Sequence, residues 1–540
     1  ATQRDPVTGE LILTVLSEGD EFLGYERWED YGNYSTYLEG NITYDQRFGN
    51  HSVSALLLYN QRNYDDGDQV PYRTQGFAGR AAYTYADRYI AEFNFGYNGS
   101  ENFAKGNRFG FFPSIAAGWI VSEEEFMRPV QNYINKLKLR ASYGLAGNDR
   151  FYNDDGSQKR FAYITTIGST DGYKWGNSNA FYEKGGLREG DPGVESLTWE
   201  TVKKANVGIE LGLFKMAELQ VDFFHERRED IFMQRKNIPS SAGFPSAPWA
   251  NYGIVTNKGF DISLDLNKQI NKDWFISARA SVTYAKNKII EQDEDLGVLG
   301  TYRSSTGKPV GQIFGLVNDG LYTEADFEDV TTGKLKPGLP VPKFSDRVYP
   351  GDIKYVDFNG DGEITETDKT AIGGTVNPEL VYGFGINLSY KNIDFGAFFQ
   401  GNGRTYRIIG ENQKNFLPGS TIGAEGNIFT NASDAWTVDN PSQDVFYPRL
   451  HMGYNANNAQ VSDWWLKDMS MLRLKNVELG YSFSKNLIKK AAMEYARIFV
   501  RGTNLLQFSK FDLWDPELNT SNGLKYPIMA TYSIGLQVRF

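Results

Sequence analysis

The sequence predicts an all-β protein, an antiparallel transmembrane β-barrel with long extracellular loops. Three observations predict it. Apolar and polar residues alternate with a period of two along the whole chain. No stretch approaches the roughly 18 uninterrupted apolar residues that a membrane-spanning helix needs. Connections come in two sizes, very short and very long, as outer-membrane barrels require. The mean hydropathy of -0.48 would suit a water-soluble chain, but barrel strands average a lipid-facing row with a lumen-facing row and so look mildly polar.

The last strand carries the alternation most cleanly. Tyr532, Ile534, Leu536, Val538 and Phe540 fall on one face, and Thr531, Ser533, Gly535, Gln537 and Arg539 on the other. The same split separates Val207, Ile209, Leu211 and Leu213 from Asn206, Gly208, Glu210 and Gly212, and Tyr89, Phe93, Phe95 and Tyr97 from Glu92, Asn94 and Gly96. Each such segment is about the 9 to 11 residues of a tilted membrane strand. Strands are read at 33–46, 50–62, 76–86, 89–99, 109–120, 136–147, 200–213, 217–234, 251–267, 273–287, 312–322, 380–390, 393–402, 471–483, 495–507 and 529–540, with a weaker candidate near 9–18. Helix is confined to 123–127 and 484–493.

A sandwich or propeller in water also alternates. It would place polar residues on its outer face, though, and would not keep so many Phe and Tyr near strand ends. Short turns fall at Phe48-Gly49-Asn50, Ala86-Asp87-Arg88 and Tyr390-Lys391-Asn392. Long connections cover 148–197, 291–310, 323–377 and 403–468, and at that length they are expected to carry function.

Composition removes several function classes. The 36 Phe and 33 Tyr against 19 Pro suit strands and interfaces. With no cysteine there is no disulfide, thiolate metal site or catalytic thiol. A net charge of -11 without a basic arm argues against nucleic acid. Residues 1–30 hold no export signal, so the chain reads as starting mid-protein.

Eight segments, in order, resemble the SusC/RagA family of TonB-dependent outer-membrane transporters. They are DRYIAEFNFGYNGSENFAKGNRFGFFPSIAAGWIVSEEEFMR from Asp87 to Arg128, KLKLRASYGLAGND at 136–149, WETVKKANVGIELGLF at 199–214 and VDFFHERREDIF at 221–232. NKGFDISLDL at 257–266, GDIKYVDFNGDGEI at 351–364, LRLKNVELGYSF at 472–483 and FVRGTNLLQFSKFDLWDPE at 499–517 complete the series. The terminal Phe540 also resembles the aromatic signal by which outer-membrane barrels are recognised for assembly. The resemblance implies residence in the outer membrane of a Gram-negative bacterium, a 22-stranded barrel, an N-terminal plug, a SusD-like surface lipoprotein as partner and contact with the TonB complex. About 16 strands are read here, so residues 1–540 are expected to be the C-terminal part of such a barrel. The plug and N-terminal domains would then lie elsewhere, or a companion chain would complete the barrel.

One loop motif points to metal. Asp357, Asn359, Asp361, Thr365 and Asp368 stand at positions 1, 3, 5, 9 and 12 of an EF-hand-type Ca2+ loop, with Gly362 at the bend and the Glu363 carbonyl as a further ligand. The same residues also read as a solvated Asp/Gly turn. Trp175, Trp249, Trp436, Trp464 and Trp465 lie in predicted loops. Their faces could stack on sugars or peptide side chains, and equally they could pack a loop core or form an interfacial belt. Charges within strands, such as Glu210, Asp222, Asp265 and Arg501, are expected to face the lumen and form a polar network.

Three function classes follow. The resemblance implies active import of oligosaccharides or peptides; a passive porin or structural barrel subunit is the alternative. A barrel enzyme ranks last, because His51, His225 and His451 are scattered and show no ligand or triad spacing. Gly383 and Gly385 lack the third glycine and the helix of a dinucleotide site.

Overall fold

The computed structural model describes residues 3–4, 7–8, 11–12 and 32–540, apart from 66, 68–69, 154, 178–179, 411–415, 420–429 and 490–491. One 15-stranded antiparallel sheet dominates, and its spatial order is its sequence order. The strands are β1 (Tyr34–Phe48), β2 (His51–Asp65), β3 (Tyr72–Tyr85), β4 (Tyr89–Ser100), β5 (Phe109–Ile120), β6 (Ile134–Asn148), β7 (Glu200–Leu213) and β8 (Ala217–Gln234). They continue through β9 (Trp249–Gln269), β10 (Trp274–Glu291), β11 (Leu380–Tyr390), β12 (Ile393–Gly403), β13 (Met471–Ser482), β14 (Tyr495–Ser509) and β15 (Thr531–Arg539). The edge strands β1 and β15 each have one neighbour among the described residues.

A sheet in which each strand pairs with the next needs only hairpin connections, and these alternate in size. At one end Gly49, with φ +60, and Ala86–Asp87, with φ 51 and 55, make tight turns. At the other end lie 149–199, 292–379, 404–470 and 510–530. Strands run from 9 residues in β15 to 21 in β9. About 9 to 11 suffice to cross a bilayer, so the longest strands stand clear of it.

Period two decides which face each side chain takes, and the pairing keeps like with like. Val207 pairs with Phe223, and Phe223 with Phe260, whereas Gly208 pairs with Asp222 and Arg140. The apolar row is uncovered by protein: Ile42, Phe77, Phe93, Phe111, Tyr143, Val207, Phe223, Val500 and Ile534 are all exposed. In water that pattern would be an aggregation surface. In hydrocarbon it is the ordinary outer wall of a barrel. No helix among the described residues is long and apolar enough to cross a membrane.

Fifteen of the predicted strands lie in this sheet. The exception is 312–322. There Gln312–Gly315 pairs with Thr370–Thr375, and Asn318–Leu321 pairs with Ile353–Tyr355, inside the 292–379 connection. Leu316 and Leu321 are buried by protein rather than lipid, and alternation reads the same in either surrounding. The predicted loops 291–310 and 323–377 are therefore one continuous connection. Connection 149–199 also holds an unpredicted hairpin, Ile167–Asn177 with Ala180–Glu189. The helical expectations reduce to 3-10 turns at Val121–Glu123 and Glu125–Val130 and one α turn at Lys485–Ile488. The weak strand near 9–18 lies outside the described residues except for Leu11–Ile12, which pairs with Gln3–Arg4.

Candidate functional site: a charged inner wall beneath a folded cap

Removing the apolar row to the outside leaves the opposite face for polar side chains, and these pair across neighbouring strands. Glu210 of β7 meets Lys136 at 3.1 Å, Arg140 at 3.3 Å and Lys138 at 3.5 Å, all from β6. Arg140 also meets Asp222 of β8 at 2.7 Å. Gly208 lies between them, and a Cβ there would come within 2.6 Å of the Asp222 carboxylate, so the glycine makes room for the pair. A second chain runs over β12, β13 and β14: Arg497 binds Asp394 and, at 2.6 Å, Glu478, which also holds Arg501 at 2.5 Å. Asp265 pairs with Arg279 at 2.8 Å. The four strand charges singled out from the sequence thus all enter cross-strand pairs on the inner face.

At the long-loop end, three connections fold into one cap. Its core joins Leu316, Leu321, Ile353, Tyr355, Ile364 and Ile372 from 292–379 to Ile408, Phe416, Trp436, Tyr447, Trp465 and Met469 from 404–470, and to Phe511 from 510–530. Fully burying one such side chain contributes about 1.5–3 kcal/mol, which is what holds chain of this length in one arrangement. The Leu316 N–H donates to the Val461 carbonyl at 2.9 Å and the Asp463 N–H to the Leu316 carbonyl at 3.0 Å.

Polar staples complete the cap. Asp352 is wholly buried, and one of its oxygens accepts from His451 Nε2 at 2.5 Å, Asn458 Nδ2 at 2.9 Å and Asn455 Nδ2 at 3.2 Å. Asn458 in turn accepts from the Ile353 N–H at 2.9 Å, and Asn457 donates to the Ile353 carbonyl at 2.8 Å. Burial pushes the Tyr355 hydroxyl far above its ordinary range and the Tyr447 hydroxyl up to about 12, so both stay protonated. A further seam lies at Asp293 and Glu294. Asp293 accepts from Arg235 Nε at 2.7 Å and the Lys236 N–H at 2.8 Å, and Glu294 accepts from the hydroxyls of Ser304, Ser305 and Thr306 at 2.6–2.8 Å. Burial opposes both charges, but these donors together outweigh it and hold each carboxyl at about 2.

The structure distributes the predicted tryptophans unequally. Trp436 and Trp465 are 6% and 4% exposed and belong to the cap core. Trp465 Nε1 donates to the Asn458 carbonyl at 2.8 Å, and Trp464 is half-buried, donating to the Phe446 carbonyl at 3.1 Å. Trp249 stacks on Phe232 with ring centres 4.5 Å apart and planes 7° apart. Trp175 alone stands in the open, on the hairpin of 149–199, beside Tyr182 at 4.7 Å and Tyr173 at 5.5 Å.

Loop 357–368 is a tight, self-bonded turn. Asp357 accepts from the N–H groups of Gly360 at 2.6 Å and Gly362 at 2.8 Å, which holds its carboxyl below the ordinary range although burial works the other way. Asp361 accepts from the Glu363 N–H and from Asn359 Nδ2, both at 2.8 Å. Asp368 is fully buried and caps the Thr365 N–H at 2.8 Å, and Glu363 pairs with Lys343 at 2.9 Å. Among the described residues no three acidic or histidine side chains stand close enough together to hold a metal.

No family model matches the chain. Among relatives, it is 30% identical to TonB-dependent receptor P26 of Formosa agariphila, over 89% of this chain and 47% of that one. It is 25% identical to TonB-dependent receptor SusC of Bacteroides thetaiotaomicron, over 88% and 45%. Among solved structures, the RagAB peptide importer in its closed-closed state superposes with a TM-score of 0.69 at 22% identity, over 94% of this chain and 55% of that one. The chain is a homologue of the SusC/RagA-type TonB-dependent receptors. It spans about half the length of the relatives it matches. Like other SusC/RagA homologues it is an outer-membrane β-barrel protein of Gram-negative bacteria, so the apolar row faces lipid, the tight turns face the periplasm and the cap lies outside the cell. What the sequence did not reveal in this barrel is the joining of 292–379 with 404–470. Its signal was present, because those loops carry more Leu, Ile, Trp and Tyr than solvated connections need.

Proposed function

We propose that this chain forms the barrel wall and outer cap of an active importer of oligosaccharides or peptides, with no enzymatic activity of its own. The observation that carries the reading is the pairing of a lipid-solvated sheet with external loops that fold on a dry core above a charged inner wall. Loops of a passive pore need only stay soluble, whereas these are built to hold a defined shape over the lumen. A SusD-like surface lipoprotein is proposed as partner, with the plug and the TonB-contacting segment in parts of the receptor beyond these 540 residues; a companion chain completing the barrel is the other arrangement. Support comes from the relatives' names and from the RagAB fold. Uptake of oligosaccharide and peptide mixtures by cells carrying the native gene tests this. Import should stop when the gene, the TonB system or the proton gradient is removed. Uptake indifferent to TonB and the gradient would establish the passive reading instead.

Substrate contact by tryptophan is proposed for Trp175, whose ring is open to solvent. A Ca2+ ion is proposed for loop 357–368, supported by its run of oxygen-bearing side chains and by positive φ at Gly360 and Gly362. It would have to draw Asp357, Asn359 and Asp361 from their present partners. Calcium should then raise the temperature at which this loop becomes protease-sensitive, and Asp361→Ala should abolish the gain. No calcium effect on the native protein sinks the assignment.

A further inference from the structure

Around the rim of the barrel, where β2, β3 and β4 meet connection 149–199, lies a cavity of about 380 Å3. That is within the range that ligand sites occupy. Its floor is the inner face of the sheet. Tyr64 pairs with Tyr72 and Arg62 with Thr74, on the side opposite the lipid-facing Phe77 and Tyr97. The two tyrosine rings lie 5.9 Å apart, tilted by 36°.

The charge of this cavity runs against that of the chain. Three arginines, Arg62, Arg150 and Arg160, line it against only two acidic residues, Glu101 and Asp149, in a protein of net charge -11. Arg160 is the fixed member. Its side chain is 6% exposed, ion-pairs with Glu101 at 3.1 Å, donates to the carbonyls of Val70 at 2.5 Å and Pro71 at 3.1 Å, and lies 3.7 Å above the Tyr72 ring. Its Nε is buried without a hydrogen-bond partner. Arg62 and Arg150 are exposed and enter no ion pair among the described residues. A structural arginine would be paired as Arg140 and Arg497 are. Arg62 donates instead through Nε to the Ser35 hydroxyl at 3.2 Å and lies 5.4 Å from the centre of the Tyr64 ring, and both it and Arg150 line the cavity.

We propose that this cavity binds a carboxylate group of the imported molecule, with Arg62 and Arg150 as its ligands and the Tyr64 and Tyr72 rings supporting the body of the substrate. A guanidinium fork matches a planar carboxylate bidentately. Beside the buried Arg160 charge, at a partly enclosed rim, that match is screened less than on an open surface. The inference rests on the import reading and narrows it to acidic substrates. The carboxylate can come from a uronic acid residue of an oligosaccharide or from the C-terminus of a peptide.

The test is calorimetric titration of the full chain in detergent with two matched pairs: an oligouronate against its methyl ester, and a short peptide against its C-terminal amide. The acidic member of at least one pair should bind about tenfold more tightly than its neutral counterpart, by the worth of one charge-assisted hydrogen bond. The advantage should fall in about 1 M salt, where the Debye length is about 3 Å. The discriminated pair names the source. Arg62→Gln and Arg150→Gln should each remove most of the preference, with electrophoretic heat-modifiability of the barrel unchanged. Equal binding of both members, no binding by the native chain, or variants that discriminate as well as the native chain would overturn the site. If cells import neither acid while the purified chain still prefers it, the import reading fails and the site stands.

Discussion

Asp352 ties two of the cap's connections together through one buried side chain. Three side-chain donors from 404–470 converge on one of its oxygens, and the Tyr349 N–H reaches the other at 2.9 Å. Removing one partner of a buried charged network typically costs about 3–5 kcal/mol, because the rest is left unpaired. Asp352→Ala should therefore open the cap to protease between 310 and 470 while the barrel remains heat-modifiable. Asp352→Asn, which keeps an acceptor oxygen, should cost less. A variant cap as resistant as the native one would show that the apolar core alone holds it. Legibility divides at this scale. Glu210, Asp222, Asp265 and Arg501 were placed correctly on the inner face, because a charge inside an alternating strand has only one affordable side. The setting of Asp352, His451 and Asn458 was not readable, because their partners lie about a hundred residues away and share no period.

Strands obey a simpler rule. Their side chains have two surroundings, lipid or lumen, and parity decides between them, which is why fifteen strands could be placed from alternation alone. The misplaced segment 312–322 shows the limit, since parity says that a row is covered and not by what. The rule makes a paired prediction in β7. Val207→Arg puts a cation into hydrocarbon and should destabilise the barrel by about 2–4 kcal/mol if it lies near the midplane. Asn206→Arg, one residue away and on the inner face, should be tolerated. The measurement is folding into lipid vesicles followed by heat-modifiable electrophoresis. Equal losses for both variants would contradict the facial assignment.

For the whole molecule, solvation inverts the usual relation between apolar residues and interior. The sheet exposes its Phe, Tyr and Leu, and the closely packed cores lie in the loops. Of the readings the sequence left for the loop tryptophans, ligand contact, loop-core packing or an interfacial belt, Trp436 and Trp465 take the second and fill the interior that the barrel lacks. The cap's stability should also respond to acid. Asp293 and Glu294 are depressed to about 2 from ordinary values of 3.8 and 4.5. Each therefore contributes stability that is complete above its unfolded pKa and lost as pH falls toward about 2. Limited proteolysis of 292–310 should rise reversibly between about pH 4.5 and 2. The Asp293→Asn, Glu294→Gln double variant should lack that transition, and an unchanged profile would assign it elsewhere.

The hydrogen bonds between Leu316 and residues 461–463 also settle a matter that the bilayer cannot judge. If one strand slid past its neighbour by two residues, every greasy side chain would still meet lipid and every polar one the lumen, so the membrane would accept the error. Such a slip displaces the chain by about 7 Å, which would separate the two halves of the cap core. Closing the lid over the finished wall is thus possible for one alignment of the staves, and the outermost part of the protein acts as the gauge for the part buried in the membrane.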